Sequence, residues 1–206
     1  MGVHVVRHPL IEDALLRLRD AATPPDEFRR LARRVSLLLV AESTRDLGLE
    51  EATVTTPLET AHGQRLAARV VAVPVLRAGL GMLDAFLELV PQAQVGYFGL
   101  ERNEETAVAR RYYEKVPANL GGAIVFLLDP MLATGGSAAM ALEGLAGLGA
   151  RKARLLSIVA APEGVKLMEE RVPDAVIYTA ALDRELNAKK YILPGLGDFG
   201  DRLFGT

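Results

Sequence analysis

Cysteine is absent from this chain, so no disulfide framework holds it together. No uncharged apolar run reaches the 18 or so residues of a candidate membrane-spanning helix, and residues 1–7 lack the pattern of a secretory signal peptide. A net charge of −2 provides no basic field for nucleic acid. What is present is a 206-residue chain that is 50% hydrophobic and 24% charged. This composition is typical of one globular domain, residues 1–206, and we expect it in the cytoplasm without a membrane or nucleic-acid partner.

Short apolar runs stand between segments of helical periodicity and predict buried strands. The alternation of strands and helices predicts an α/β fold, with a parallel sheet covered by helices on both faces. Ligands of such sheets bind beyond the carboxyl ends of the strands. Residues 102–116 are charged and lack a clear period, so we predict a mobile arm or loop there. The predicted strands cover residues 70–76, 94–99, 122–128, 153–160 and 176–180.

One turn has the composition of a phosphate-binding cradle. A predicted strand ends in Asp129, and small and hydroxyl-bearing residues follow it before the next predicted helix. Successive backbone N–H groups in such a turn, with the positive end of a helix behind them, form a site for an anion. The hydroxyls of Thr134 and Ser137 are suited to donate to phosphate, while Gly135 and Gly136 are expected to let a ligand approach the backbone. A plain helix cap is the alternative interpretation, and the lysine of a P-loop is missing.

The sequence of this turn, D-P-M-L-A-T-G-G-S at 129–137, resembles the phosphoribosyl-diphosphate (PRPP) loop of type I phosphoribosyltransferases. Its form is similar to that of the uracil phosphoribosyltransferase family. A second stretch, Y-I-L-P-G-L-G-D at 191–198, resembles the segment that forms the pyrimidine pocket in that family. The resemblance covers nearly the whole chain. It implies a parallel-sheet core flanked by helices, a small hood from the N- and C-terminal segments with its base-binding part at about 183–206, and a protruding arm at about 102–116.

The resemblance also implies a set of substrate-binding residues. Among them, Asp198, Arg102 and Asp129 are the candidate catalytic residues. Asp129 would hold the ribose and Arg102 the leaving diphosphate, while Asp198 would either deprotonate uracil or orient the water around a metal. Mg²⁺ is expected as the cofactor, bound mainly through PRPP and not by a metal site of the protein. PRPP is expected to contact Arg77, Arg102, Asp129, Pro130, Met131, Leu132, Ala133, Thr134, Gly135, Gly136, Ser137 and Asp198, and uracil to contact Ile192, Gly197, Asp198 and Phe199.

Another predicted strand ends in Arg77, which is followed by Gly79 and Gly81. Taken alone, Arg77 would be a surface or capping residue, but beside a phosphate turn it is a candidate diphosphate ligand because guanidinium binds phosphate bidentately. The two glycines are expected to admit the diphosphate to bare backbone. Two positions depart from the family pattern. Glu101 stands where a tyrosine is usual, and Phe199 where alanine is common.

Two other functions remain open at this point. A sensor of PRPP or nucleotides would keep the fold without the chemistry, but it should carry a nucleic-acid module or a basic face, and neither is present. A transferase acting on orotate or a purine is the second, although the segment 192–198 offers an acid where the carboxylate of orotate would want a cation. The resemblance further implies a homo-oligomer, either dimer or tetramer. GTP is a candidate activator because it activates some relatives, but no residue is assigned to it.

Overall fold

The structure, a computed structural model, describes residues 2–102 and 109–206, without the side chains of residues 101, 102 and 109. Its helices are α1 (Pro9–Arg19), α2 (Pro25–Ser43), α3 (Leu80–Leu89), α4 (Gly136–Gly147), α5 (Pro162–Arg171) and α6 (Phe199–Phe204). Its strands are β1 (Gly2–Val5), β2 (Leu49–Thr55), β3 (Thr60–Leu66), β4 (Val70–Leu76), β5 (Gln94–Val95), β6 (Tyr97–Arg102), β7 (Ala109–Lys115), β8 (Ile124–Leu128), β9 (Met131–Leu132), β10 (Lys152–Ala160), β11 (Val176–Leu182), β12 (Glu185–Leu186) and β13 (Ile192–Leu193).

A central sheet runs in the order β1-β11-β10-β8-β4-β6-β7. Its neighbouring strands are parallel apart from the antiparallel pair β6–β7. From β4 the chain passes through α3 to β6 on one side, whereas from β8 it passes through α4 to β10 on the other. The direction of winding therefore reverses between β4 and β8. A crevice opens at such a point beyond the carboxyl ends of the two strands.

Helices cover both faces of this sheet. Side chains alternate across β4, with Val70 and Ala72 in one core cluster and Val71 and Val73 in the other. The first cluster lies under α1, α2, α3 and α6, and the second under α4 and α5. Both layers are apolar because each helix buries one stripe, such as Ile11, Ala14, Leu15 and Leu18 of α1.

The α/β architecture with a mainly parallel sheet and covering helices is therefore confirmed. The loop interpretation of residues 102–116 is wrong for 109–115, which form β7 and pair with β6 in register from Tyr97↔Lys115 to Arg102↔Ala109. Pairing with β6 holds this segment as a strand, although its charged sequence lacks the alternation that would predict one. Residues 103–108 of the predicted arm lie outside the described residues.

The β2–β3 hairpin stands apart from the central sheet and pairs only with itself among the described strands. Most of its residues are exposed on both faces, and Val54 and Leu58 are among the large apolar side chains in contact with solvent. In the part of the chain that the structure describes, no helix has both the length and the apolar character needed to cross a bilayer.

Candidate active site

Next to the carboxyl end of β8 lies a cavity of about 800 Å³. Two segments that are far apart in the chain form its walls. One belongs to the predicted phosphate cradle (residues 129–137), and the other surrounds the predicted base loop (residues 192–198). The cavity is lined by Met131, Ala133, Ala188, Lys189, Lys190, Tyr191, Ile192, Gly197, Asp198 and Phe199.

The cradle ends at an open helix terminus. Among the described residues, no side chain caps the N-terminus of α4, and the first helical N–H of this turn with a partner is that of Ala139, which donates to the carbonyl of Gly135 at 2.9 Å. Within residues 2–102 and 109–206, the hydroxyls of Thr134 and Ser137 have no hydrogen-bond partner either. Backbone and hydroxyl donors at the positive end of a helix form a binding site for phosphate. The alternative of a plain side-chain cap is wrong for this helix, because neither hydroxyl caps it.

The glycine that precedes α4 is required by the protein itself. Gly135 has φ of +81°, and a Cβ there would lie 2.8 Å from the carbonyl oxygen of Gly164 in α5. In turn, a Cβ on Gly164 would lie 2.4 Å from the carbonyl oxygen of Ala133. The cradle therefore packs backbone against backbone on the start of α5. A Cβ on Gly136 would meet only the hydroxyl of Thr134, at an ordinary contact distance of 3.8 Å, so for that glycine the expected role of letting a ligand approach stays a prediction.

Pro130 and Leu132 hold the cradle in place through backbone atoms. The carbonyl of Pro130 accepts the N–H groups of Ile158 and Val159 at 2.9 and 3.1 Å, and that of Leu132 accepts the N–H of Ala161 at 2.8 Å. Both side chains are buried. Of the nine predicted cradle residues, these two are tied to β10 and its end, whereas Met131 and Ala133 line the cavity.

Asp129 is half-buried where β8 ends. Its N–H donates to the carbonyl of Leu156 at 3.1 Å, and its own carbonyl accepts the hydroxyl of Ser157 at 2.6 Å. Burial raises the pKa of the Asp129 carboxyl to about 6, and a long hydrogen bond of 3.5 Å from the N–H of Met131 offsets only part of this rise. The backbone of Asp129 is thus fixed to β10, and its carboxyl is poorly solvated. A ligand that brings hydroxyl donors would stabilise its ionised form.

Arg77 follows β4 on the other side of the crevice. The peptide bond between Leu76 and Arg77 is cis. The guanidinium lies 3.6 Å from the carboxylate of Asp201 and 5.8 Å from the centre of the Phe204 ring, and its side chain remains 61% exposed. It therefore remains accessible to an anion. A role for the nearby glycines in admitting diphosphate is wrong for Gly79, since a Cβ there would lie 2.3 Å from the carbonyl oxygen of Leu128.

Gly81 likewise serves packing, because a Cβ there would lie 2.8 Å from the side chain of Leu203 in α6. Helix α6 carries Phe199 at its start. The Phe199 ring is 2% exposed and packs edge-on against Phe28 at 5.2 Å between centroids. The ring that replaces the usual alanine thus points into the core.

The base loop ends at Asp198, which is exposed and caps the N-terminus of α6 by accepting the N–H of Asp201 at 3.0 Å. Ile192 is buried and pairs with Leu186 in the small β12–β13 sheet. All four residues predicted for uracil, Ile192, Gly197, Asp198 and Phe199, border the same cavity. Arg102 ends β6, but its side chain, like that of Glu101, lies outside what the structure describes, so the prediction for it stands as made.

Lys189 and Lys190 are cavity residues that sequence reasoning missed. They lie in a turn that Asn187 organises, since its side-chain oxygen accepts the N–H groups of Lys189 and Tyr191 at 2.9 and 3.0 Å. Lys190 has φ of +66°. The sequence signal was present as two adjacent lysines before the motif at 191–198. The segment 192–198 still offers an acid, but two cationic residues share this wall, so that segment alone is not an argument against orotate.

Comparisons with known proteins agree with this geometry. The family model described as Uracil phosphoribosyltransferase matches residues 5–206. A uracil phosphoribosyltransferase of Staphylococcus epidermidis is 50% identical over 205 residues, which cover 99% of this chain and 98% of the relative. The solved structure of the AQ2163 protein from Aquifex aeolicus is similar with a TM-score of 0.93 and 39% identity, covering 99% and 98% of the two chains. A hypoxanthine phosphoribosyltransferase from Staphylococcus aureus shares the fold, with a TM-score of 0.54, 12% identity and coverage of 77% and 76%.

Proposed function

Because the chain belongs to the uracil phosphoribosyltransferase family, we propose that its cavity beside β8 is where uracil and PRPP react. The chain is a glycosyltransferase of pyrimidine salvage that transfers the phosphoribosyl group from PRPP to uracil, giving UMP and diphosphate. One observation carries the assignment of the site. The phosphate cradle and the base loop, whose motifs are more than fifty residues apart in the sequence, border one cavity.

The 5′-phosphate binds at the cradle in this proposal. The uncapped start of α4 provides backbone N–H groups, and the hydroxyls of Thr134 and Ser137 add two donors. These donors are fixed before the ligand arrives, because Gly135 and Gly164 pack the turn against α5. A prearranged set of donors loses little free energy to reorganisation when the anion binds.

The ribose is held by Asp129. Its pKa of about 6 leaves the carboxyl mainly ionised at neutral pH. The ionised carboxylate accepts charge-assisted hydrogen bonds from the two ribose hydroxyls. Because poor solvation makes the charge costly in the free protein, bonds from the ligand gain more here than they would at an exposed carboxylate.

The leaving diphosphate is held by Arg77 and, as the family match predicts, by Arg102. The described residues contain no group of three or more His, Asp and Glu side chains arranged to hold a metal ion. The carboxylates of Asp129 and Asp198 are oxygen donors of the kind that Mg²⁺ accepts when substrate phosphates supply its other ligands. The residues thus fit a magnesium ion carried by PRPP, which would neutralise the charge on the departing diphosphate.

Uracil is read by the backbone at Ile192 and at 197–199. A backbone N–H aimed at a carbonyl of uracil would face an amino group in cytosine, and such mismatched sites discriminate by roughly 10⁴-fold. Asp198 lies at the edge of the base loop with one carboxylate oxygen bonded to α6. Its other oxygen is available to take the uracil proton or to orient the water around Mg²⁺.

The reaction is tested by supplying the protein with PRPP, Mg²⁺ and one base at a time, and measuring the nucleotide formed. The bases are uracil, cytosine, orotate and hypoxanthine. We expect UMP from uracil alone. Orotate is the informative competitor, because Lys189 and Lys190 give the cavity wall two cations. Formation of nucleotide from cytosine at a comparable rate would refute the recognition of uracil by backbone groups. Binding of PRPP with no product from any base would favour the alternative function as a sensor of PRPP.

Asp198 is tested by Asp198→Asn and Asp198→Ser, both of which preserve a side-chain cap on α6. We expect turnover to fall by roughly 10²-fold in each, the low end for acid–base groups, without a loss of stability. Unchanged turnover would remove this carboxylate from the chemistry. A parallel fall in the melting temperature would instead assign it to the helix cap.

The proposal extends to a cytoplasmic homo-oligomer, either dimer or tetramer. The β2–β3 hairpin supports it, because a two-stranded hairpin exposed on both faces is marginally stable in water. Multi-angle light scattering measures the oligomeric state directly, and a monomer at micromolar concentration would contradict the proposal. Repeating the uracil assay with GTP tests activation by that nucleotide.

A further inference from the structure

A buried ion pair holds the base loop from outside the cavity. Arg19, the last residue of α1, donates from both terminal nitrogens to the carboxylate of Asp183 at 2.7 Å each. The side chains are 23% and 6% exposed, respectively. The same two side chains also fix Gly195. Arg19 donates to the carbonyl of Gly195 at 2.7 Å, and Asp183 accepts its N–H at 2.9 Å. We refer to Arg19 and Asp183 as the clamp.

The clamp fixes the loop at the place where its shape is set. Gly195 lies between Ile192 and the segment 197–199, the two backbone stretches assigned to uracil. Its φ is +58°, and a Cβ there would lie 2.2 Å from the carbonyl oxygen of Ile192. The position of Gly195 therefore determines the distance between the two stretches. Among the described residues, the cavity wall contains neither Gly195 nor the clamp.

A second arginine ties the same loop to the end of α1. Arg202 donates to the carbonyl of Leu196 at 2.7 Å and to that of Asp20 at 2.5 Å, and also to that of Leu18. Its guanidinium lies 4.5 Å from the centre of the Phe28 ring. Cationic donors at the C-terminal end of a helix are favourable. The last turn of α1 thus acts as the support on which the loop is held.

The ion pair is a poor device for stability alone. Taking two charges out of water costs as much as their attraction returns, so a buried pair is weak evidence for stabilisation. Its geometry does something that an apolar pair would not do, because it satisfies both backbone polar groups of one residue in the loop. Recognition by backbone hydrogen bonds is sensitive to displacement, and an error of about 1 Å costs roughly 10²-fold.

We propose that Arg19 and Asp183 are positioning residues for base recognition, which act through Gly195 and touch no substrate. The clamp sets the spacing of the backbone groups that read the base and thereby the preference for uracil over cytosine. This inference rests on the proposed function. It adds a specificity determinant that no motif of the sequence marks.

The test compares Arg19→Met and Asp183→Asn with the control Arg154→Met. The side chain of Arg154 is 13% exposed, pairs with the exposed carboxylate of Asp46 at 2.5 and 3.1 Å, and bonds a carbonyl of α2. It lies near the amino end of β10 and away from the loop. We expect KM for uracil to rise at least about tenfold in both clamp variants, with kcat and KM for PRPP changed less than about threefold. The preference for uracil over cytosine should fall by at least about tenfold. The control should show none of these changes.

Amide hydrogen exchange of residues 192–198, followed by mass spectrometry, gives a readout that is independent of activity. Faster exchange is expected in the clamp variants and unchanged exchange in the control. Asp183→Asn keeps the size of the side chain and one acceptor for the N–H of Gly195, so it tests the inference even where Arg19→Met fails to fold. Arg19→Lys should recover part of the uracil affinity, because it returns the charge without the planar guanidinium that bonds both carboxylate oxygens of Asp183.

Parallel changes in the kinetic constants for both substrates, or the same changes in the Arg154 control, would assign the clamp to general stability and overturn the inference. Unchanged selectivity and exchange in a folded clamp variant would overturn it as well. Failure of the proposed function looks different, because the wild-type protein would then form no UMP. The exchange experiment still reports on the clamp in that case.

Discussion

Asp129→Asn should make the free protein more stable while impairing its activity. In the folded protein, burial raises the pKa of this carboxyl from 3.8 to about 6. Between these two values the folded state binds more protons than the unfolded state does, so the free energy of unfolding falls as pH rises through this interval. The stability that the neutral Asp129 carboxyl contributes is fully present below the pKa of the unfolded state. It is lost once the pH exceeds the pKa of the folded state. The amide of Asn does not ionise and should abolish this part of the pH dependence.

The magnitude follows from the size of the shift. A difference of about two pKa units corresponds to about 3 kcal/mol between the two limits, and about 2 kcal/mol of it develops between about pH 4.5 and about pH 8. Partial exposure of the carboxyl lowers these values somewhat. The stability advantage of the variant over the wild type should therefore grow by about 2 kcal/mol between about pH 4.5 and about pH 8 in the absence of substrate.

Urea denaturation of both proteins across this pH range measures the effect. The difference in unfolding free energy between variant and wild type should grow with pH, and this growth is insensitive to effects of the substitution that do not depend on pH. Asp174→Asn, the same replacement at an exposed aspartate, is the matched control. Parallel pH profiles for Asp129→Asn and wild type would refute the assignment of a poorly solvated carboxyl.

Activity should move in the opposite direction. Asn retains one acceptor oxygen, so one charge-assisted hydrogen bond to the ribose is lost. At about 1.5–3 kcal/mol, this loss should lower kcat/KM for PRPP by about 10–10²-fold. In the wild type, kcat/KM for PRPP should decline on the acid side with an apparent pKa of about 6, and this decline should be missing in the variant. A variant with full activity at neutral pH would remove Asp129 from ribose binding.

Three further changes test other contacts. Gly164→Ala places a Cβ 2.4 Å from the carbonyl oxygen of Ala133. It should weaken PRPP binding by about tenfold or more, as measured by calorimetry. The control Gly147→Ala places its Cβ in open space and should leave PRPP binding unchanged. Phe199→Ala should lower the free energy of unfolding by about 3–5 kcal/mol in urea denaturation and leave the preference for uracil over cytosine intact. A changed preference in a variant as stable as the wild type would place the ring in the cavity. Asp201→Asn removes an exposed partner of Arg77, so KM for PRPP should change by less than about fivefold, consistent with about 0.2–1 kcal/mol for such a pair.

The sequence was sufficient to predict the elements that bring the site together. Apolar runs mark the buried strands, and the parallel sheet follows from their alternation with helices, so the positions of Asp129 and Arg77 at neighbouring strand ends could be predicted. The β2–β3 hairpin is different. Its strands are exposed on both faces and lack the alternation that would predict them in full.

The supports of the site were not predictable for another reason. Gly135 packs on Gly164, and Arg19 pairs with Asp183 across 164 residues of sequence. Local pattern carries no information about contacts between such distant segments. Glycines in the cradle suggested a ligand that approaches bare backbone, whereas the atom next to the absent Cβ of Gly135 belongs to α5. A glycine motif thus indicates that another group lies close to the backbone, but it does not tell whether that group is a ligand or another part of the protein.

These supports share one consequence for recognition. Phosphate and base both bind mainly to backbone groups in the proposed site, and no substitution other than one to proline removes a backbone donor. Selectivity must then depend on the contacts that hold the backbone in place, namely the packing of Gly135 on α5 and the bonds from the clamp to Gly195. Substitutions behind the walls of the cavity should therefore change substrate preference more selectively than substitutions of the side chains that line it, such as Met131.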